Sequence, residues 1–207
     1  MLLFSTLIYQ KPFASKSLQK KLSRFWLKNL ITECFQIQKV DLHGQAWSRK
    51  NYMFGFTTYA SLNRLQDFSS SFAELKPLLD FHVFEYVKQL GYDITQRDLV
   101  LCDLWLNIMN HGAVHTGHVH PLSVISGTLY LQTDEASSSL KFEDPRLGLF
   151  MNAPPLKKKS AQQRFYFVKP KAGSLVLFES WLRHEVVPNR SQTPRISLSF
   201  NYNWSRA

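Results

Sequence analysis

Gly117-His118-Val119-His120-Pro121-Leu122-Ser123-Val124-Ile125-Ser126-Gly127-Thr128-Leu129-Tyr130 is the stretch on which the reading of the fold turns. His118 and His120 are one residue apart, and side chains alternate faces along an extended chain, so both imidazoles can approach one metal ion from the same side. An extended segment is expected over residues 122 to 133, which places the pair at the entry to a strand. A histidine pair becomes a site only when another donor converges on it. The candidate is His184, within Phe178-Glu179-Ser180-Trp181-Leu182-Arg183-His184-Glu185-Val186-Val187-Pro188-Asn189. These three are the expected ligands of a redox-active metal at the mouth of a β-barrel.

Further strands are expected on both sides of this stretch. Leu99 to Met109 is a long β-type run with Asp103, Trp105, Asn107 and Met109 on one face and Leu104, Leu106 and Ile108 on the other. Extended segments are also expected at 139 to 143, 164 to 169, 174 to 179, 184 to 187 and 195 to 204. Upstream the period is helical. From Ser15, the residues Leu18, Leu22, Phe25, Trp26, Ile31, Cys34 and Phe35 form an apolar stripe, with Lys20, Lys21, Arg24 and Lys28 largely off it.

A second helix is expected after the serines at 69 to 71, with Pro77 in the first turn of its main part, Leu78, Leu79, Phe81, Phe84, Val87 and Leu90 as its apolar side, and Gly91 as its stop. His82 lies among these and reads as a packed or solvent-edge histidine without a role. Residues 3 to 13 read as a strand ending at Pro12, and 41 to 55 as a loop leading into a short extended piece near Phe56-Thr57-Thr58-Tyr59. Helices first and then short strands give an α+β chain whose second half is a sandwich or jelly-roll barrel. No repeat of fixed period is present, which excludes a solenoid.

A chain of 207 residues suits one domain with one sizeable core. The formal charge of +10 has two readings. Residues 11 to 40 hold seven Lys or Arg against the single acid Glu33, and Lys157-Lys158-Lys159 with Arg164, Lys169 and Lys171 form a second cluster. Such clusters are most simply solvated basic faces; the alternative is an anionic partner or substrate, nucleic acid included, which charge alone does not establish. The apolar start, Met1 to Tyr9, lacks a basic n-region and a cleavage site, so it reads as neither signal peptide nor membrane span. Cys34 and Cys102 sit in apolar periodic runs and read as buried free thiols, in keeping with a reducing cytoplasm. The connection from Asp144 to Gln163 is long for a compact domain and reads either as disorder or as a lid over a site.

Neutral imidazole suits Fe, Zn, Cu or Ni, and three such ligands leave positions open for substrate and oxygen. The pair is followed by His184, by Arg195-Ile196-Ser197 eleven residues later, and by the alternating strand Leu198-Ser199-Phe200-Asn201-Tyr202. In this combination the chain resembles the Fe(II)/2-oxoglutarate-dependent dioxygenase superfamily, whose double-stranded β-helix carries H-x-D, a distal His and then an Arg, often as R-x-S. More narrowly it is similar to the short bacterial and phage proteins described as putative 2OG-Fe(II) oxygenases. The matching pieces are Trp105-Leu106-Asn107-Ile108, the stretch from His118 to Tyr130, Phe142-x-Asp144-Pro145-Arg146, Gly173 to Phe178, Trp181-Leu182-x-His184, and Arg195 to Asn201.

The resemblance implies a double-stranded β-helix, a jelly-roll or cupin-like barrel with N-terminal helices packed on it. It would form one domain over residues 1 to 207, with 1 to 96 as helical support and 97 to 207 as the core. It implies Fe(II), 2-oxoglutarate as cosubstrate and O2, acting on an unidentified second substrate. His118 and His184 would be iron ligands, Arg195 would clamp the distal carboxylate of 2-oxoglutarate, and Ser197 would hydrogen-bond it; a planar guanidinium meets a carboxylate with two charge-assisted bonds. Tyr130 could add a phenol, or be a core aromatic, and Asn107 could line the pocket.

The departure from the pattern is His120, where the superfamily usually has Asp. Three arrangements are open: His120 coordinates and makes a three-histidine site, it turns away and water fills the position, or a carboxylate such as Asp103 or Glu143 takes the role. The first is the expectation carried forward. His111 and His115 precede the motif and are secondary candidates against ordinary solvated loop histidines. A cupin-type three-histidine metalloenzyme is the alternative enzyme, since Gly173, Phe178, His184 and Asn189 resemble its second motif. Against it, Ser123 and Val124 stand where its first motif expects Glu, and Arg195-Ile196-Ser197 has no role there. A non-catalytic binding protein on the same barrel is the alternative outside enzymes.

Overall fold

The run from Leu99 to Met109 is an interior strand of the larger of two antiparallel sheets. The computed structural model describes residues 5–14, 24–146, 154–158, 160 and 163–205. In chain order the strands are β1 (Tyr9–Pro12), β2 (Gly55–Thr57), β3 (Leu99–Met109), β4 (His115–His118), β5 (Ile125–Gln132), β6 (Leu140–Glu143), β7 (Phe165–Val168), β8 (Ser174–Glu179), β9 (His184–Val186) and β10 (Arg195–Trp204). The helices are α1 (Arg24–Val40), α2 (Leu42–Asn51), α3 (Leu65–Phe68), α4 (Ser70–Ala73) and α5 (Lys76–Leu90). Six strands pair in the order β1-β8-β5-β10-β3-β2 and four in the order β4-β9-β6-β7.

Period-two alternation decides what each face of the larger sheet meets. Leu104, Leu106 and Ile108 of β3 join Leu129 and Leu131 of β5, Leu175 and Leu177 of β8, and Leu198 and Phe200 of β10 in one apolar cluster with Leu30, Cys34 and Ile37 of α1 and Leu79, Val83 and Tyr86 of α5. Burying each such side chain contributes about 1.5–3 kcal/mol, so this face anchors the helices. At Gly127 only a hydrogen fits, because a Cβ there would lie 2.4 Å from the Phe200 ring and 2.6 Å from Leu177. From the other face Met109, Tyr130, Val176 and Phe178 meet Leu140, Phe142, Val168 and Val186 of the smaller sheet. The larger sheet is therefore a middle layer, and polar residues on its second face open into the space between the sheets.

Four expectations need correction. The first strand begins at Tyr9, and residues 5 to 8 lie outside any strand. Residues 41 to 55 hold helix α2, not a loop. Gly44 makes room for the helix cap: Asp41 Oδ1 accepts from Gly44 N at 2.8 Å, and a Cβ on Gly44 would lie 2.1 Å from Asp41 Oδ2. On α5, Phe81 is 57% exposed and His82 is buried in its stead. His82 is packed, with Nδ1 2.8 Å from Tyr9 Oη and Nε2 2.8 Å from Phe13 O, which ties β1 to α5. Of the two thiols, both free, Cys34 is buried but Cys102 only half-buried.

Pro77 lies in the first turn of α5, and the left-handed Gly91 (φ 76°) ends it, as expected. The expected positions 3 and 4 of the first strand, 15 to 23 of the first helical stripe, the Phe25 side chain, and 147 to 153, 159, 161 and 162 of the long connection lie outside the described residues. Among the described residues no helix is long and apolar enough to cross a membrane.

Candidate metal centre

β4 and β9 pair with His118 opposite His184, and the chain leaves β4 at His118 to bring His120 in from beyond the strand end. His120 N donates to Ser180 O at 3.0 Å, which pins this exit. One nitrogen from each of His118, His120 and His184 lies within 4.8 Å of the others. Among the described residues this is the one group of three or more His, Cys, Asp or Glu side chains so placed. Asp103 and Glu143 are outside it: Asp103 accepts from Asn63 and Asn201, and Glu143 pairs with Arg164 and Arg183.

The same ring nitrogen is engaged in all three imidazoles. His118 Nδ1 donates to Thr116 O at 2.7 Å and His184 Nδ1 to Leu182 O at 2.8 Å. His120 Nδ1 lies 2.7 Å from Ser126 Oγ and 2.8 Å from Asn201 Oδ1. A neutral imidazole has one N–H, and a carbonyl can only accept, so the Nε2 lone pairs of His118 and His184 are free to bind a cation. His118 Nε2 and His120 Nε2 face each other at 3.2 Å, close enough to bind one cation together. Burial pushes the imidazoles down, His120 to about 4 and His184 to about 2, with His118 also lowered. They are neutral at neutral pH, the form that coordinates. The donor set fits a borderline transition metal such as Fe(II).

The same cleft is lined by Arg195, at the start of β10. Its side chain is 2% exposed, and no carboxylate among the described residues lies within ion-pair reach. Nη1 contacts Ser197 Oγ and Met109 Sδ, each at 3.3 Å, and the guanidinium carbon stands 4.9 Å from the Tyr130 ring centre. Arg195 Nε and Tyr130 Oη are buried with no hydrogen-bond partner, as is Thr128 Oγ1 in the cleft wall. Buried polar groups are nearly always satisfied, and a buried unpaired cation is costly. The arrangement fits an anion that takes up the guanidinium and the phenol together. Burial raises the phenol, so it remains a donor.

Ser197 is buried beside Arg195, and Asn107 lines the cleft with Nδ2 donating to Ser199 Oγ at 3.0 Å. His115 also lines it, its ring centre 4.3 Å from that of His118, but it is not in the converging group. His111 is exposed, 3.3 Å from Gln192 Nε2. Asn189, the cupin-like position, serves the backbone: Nδ2 donates to Met109 O at 2.9 Å and Oδ1 accepts from Ser138 N at 3.2 Å.

The cleft residues that sequence reasoning missed include Tyr52, Trp105 as a wall beside His120 (ring centres 5.9 Å apart), and Thr128. Thr128 was discoverable, because it alternates with Ser126 and Tyr130 on β5; Tyr52 carries no local signal.

Three converging imidazoles between antiparallel sheets, with a buried arginine that has no carboxylate partner in the same cleft, suit a transition metal and an anion held side by side. The comparison with known proteins agrees. Residues 103–201, the segment that carries every candidate ligand and Arg195, match the family described as Putative 2OG-Fe(II) oxygenase. No curated protein matches the sequence.

Similar solved structures include a Pseudomonas putida prolyl-4-hydroxylase, 16% identical, with 98% of this chain and 95% of that one covered and a TM-score of 0.62. HygX from Streptomyces hygroscopicus, solved with nickel and 2-oxoglutarate, is 12% identical, with 96% and 83% covered and a TM-score of 0.59. The non-heme alpha ketoglutarate dependent epimerase SnoN from nogalamycin biosynthesis is 12% identical, with 95% and 77% covered and a TM-score of 0.63. At these identities the likeness is one of fold.

Proposed function

We propose that the chain is an Fe(II)- and 2-oxoglutarate-dependent oxygenase acting on one C–H bond of a second substrate, on a sheet pair closed as a double-stranded β-helix. The observation that carries this is the pairing, in one cleft, of three Nε2-presenting imidazoles with a buried guanidinium that has no carboxylate of its own. Metal and cosubstrate, when bound, supply the redox chemistry: 2-oxoglutarate, O2 and the substrate C–H give succinate, CO2 and the alcohol.

His118, His120 and His184 hold the iron. Arg195 takes the far carboxylate of 2-oxoglutarate, with Ser197 and the Tyr130 phenol as further donors, and Asn107 lines the space between. Phe178, whose ring centre is 4.5 Å from that of His184, and Trp105 keep water from the ligands. The second substrate is taken as anionic, a reading supported by the net charge of +10 alone, and the protein as cytoplasmic.

Anaerobic addition of Fe(II) and 2-oxoglutarate should produce the weak visible charge-transfer band of the chelate, and admission of O2 should yield succinate even without second substrate. A metal-loaded protein that shows neither the band nor 2-oxoglutarate-dependent succinate would contradict the proposal and favour a cupin-type metal site.

A further inference from the structure

We infer that Asp103 and Asn201 are positioning residues that set the tautomer of His120, so that a carboxylate acts on the third ligand from outside the coordination sphere. The inference rests on the reading of His120 as a ligand. It starts from the amide of Asn201, which has one donating and one accepting end. Asn201 Nδ2 donates to Asp103 Oδ2 at 3.2 Å, and a carboxylate at neutral pH can only accept, so this contact fixes which way the amide points. Oδ1 is thereby turned toward His120 Nδ1, 2.8 Å away.

Ser126 fits the same direction. Its hydroxyl donates to Asn201 Oδ1 at 2.8 Å, leaving its oxygen to accept from Ser180 Oγ and from His120 Nδ1, both at 2.7 Å. Every partner of His120 Nδ1 is then an acceptor. The proton is held on Nδ1, and the lone pair sits on Nε2 facing His118.

Strand register explains why these residues meet. Asn201 of β10 lies opposite Asp103 on β3 and opposite Ser126 on β5, so one cross-strand row delivers carboxylate, amide and hydroxyl to the ring. Asp103 is itself held by Asn63 Nδ2 at 3.2 Å and has no cationic partner among the described residues. His118 and His184 need no such relay, because backbone carbonyls hold their Nδ1 protons. His120 stands where the resembling superfamily has an anionic ligand, and it is the ligand connected to a carboxylate. Partners of this kind orient a metal-bound imidazole and raise its basicity.

The test uses full-length protein and two readouts. In metal-free protein labelled with 15N-histidine, His120 should carry its proton on Nδ1. Asp103→Asn frees the Asn201 amide to turn over and should move that proton to Nε2. In Co(II) titrations Asp103→Asn should bind about ten- to a hundredfold more weakly than wild type. The double variant Asp103→Asn/Asn201→Asp should restore at least wild-type affinity, because the carboxylate at 201 accepts from His120 Nδ1 with one oxygen and from the amide at 103 with the other.

A network that merely satisfies buried polar groups would leave the tautomer unmoved and give no rescue by the double variant. An Nε2 proton on His120 in the metal-free wild type would overturn the relay, as would unchanged cobalt affinity in Asp103→Asn. Failure of the metal site itself would appear separately, as a wild type that binds no cobalt.

Discussion

Arg195→Ala is expected to abolish the 2-oxoglutarate-dependent band of the Fe(II)-loaded protein while leaving Fe(II) binding in place. The guanidinium is buried, with Nε unpaired and only Ser197 Oγ and Met109 Sδ on Nη1. A carboxylate ligand would therefore supply its strong interactions. Truncating one partner of a buried charge-assisted pair costs about 2–5 kcal/mol, or roughly thirty- to several-thousandfold in Kd. Isothermal titration with 2-oxoglutarate on the metal-loaded variant checks the size. The same reasoning gives an opposite expectation for stability. Arg195→Met keeps most of the volume and removes a charge without an ionic partner, so the ligand-free variant should melt higher, at roughly 2–4 °C per kcal/mol. Loss of binding together with a gain in stability would identify a residue retained for function.

His184→Ala should remove tight metal binding. His184 is 5% exposed, pairs with His118 across β4 and β9, and keeps its Nδ1 proton on Leu182 O, which leaves its Nε2 to the converging group. A full four-ligand site is worth about 10–16 kcal/mol, so one ligand accounts for roughly 3 kcal/mol, about a hundredfold in affinity. His115→Ala is the matched comparison. That ring stacks beside His118 and lines the cleft without joining the converging nitrogens, so cobalt affinity should change far less. Equal losses in the two variants would make His115 a fourth ligand.

What could be read from the sequence and what could not divide along the range of the interactions involved. The strands carrying the site were legible because a buried face forces strict alternation: Trp105, Asn107 and Met109 of β3 line the cleft, and Leu104, Leu106 and Ile108 join the apolar cluster on the other side. The convergence of His118, His120 and His184 was legible because two histidines one residue apart with a third on a later strand are sparse, chemically specific signals, whereas Arg195 was picked out by the R-x-S pattern of the resembling superfamily. Helix α2 was hidden because its start depends on the Asp41 cap and its glycine sits there to accommodate that cap, while its polar composition gives no stripe. Phe81 faces outward and His82 packs inward because β1 and the residue after it, contributed from far away in sequence, offer Tyr9 Oη and Phe13 O to an imidazole. Tyr52 reaches the cleft from the end of α2, and Asp103 touches His120 only through Asn201; neither contact has a local signature.

The central claim is that three imidazoles and one guanidinium serve a single metal and keto acid. A crystal structure of the protein grown anaerobically with Fe(II) and 2-oxoglutarate tests it most directly. The cation should be bonded to Nε2 of His118, His120 and His184, and the keto acid's far carboxylate should lie against Arg195 and the Tyr130 hydroxyl. A cation held elsewhere, or a keto acid bound away from Arg195, would contradict it.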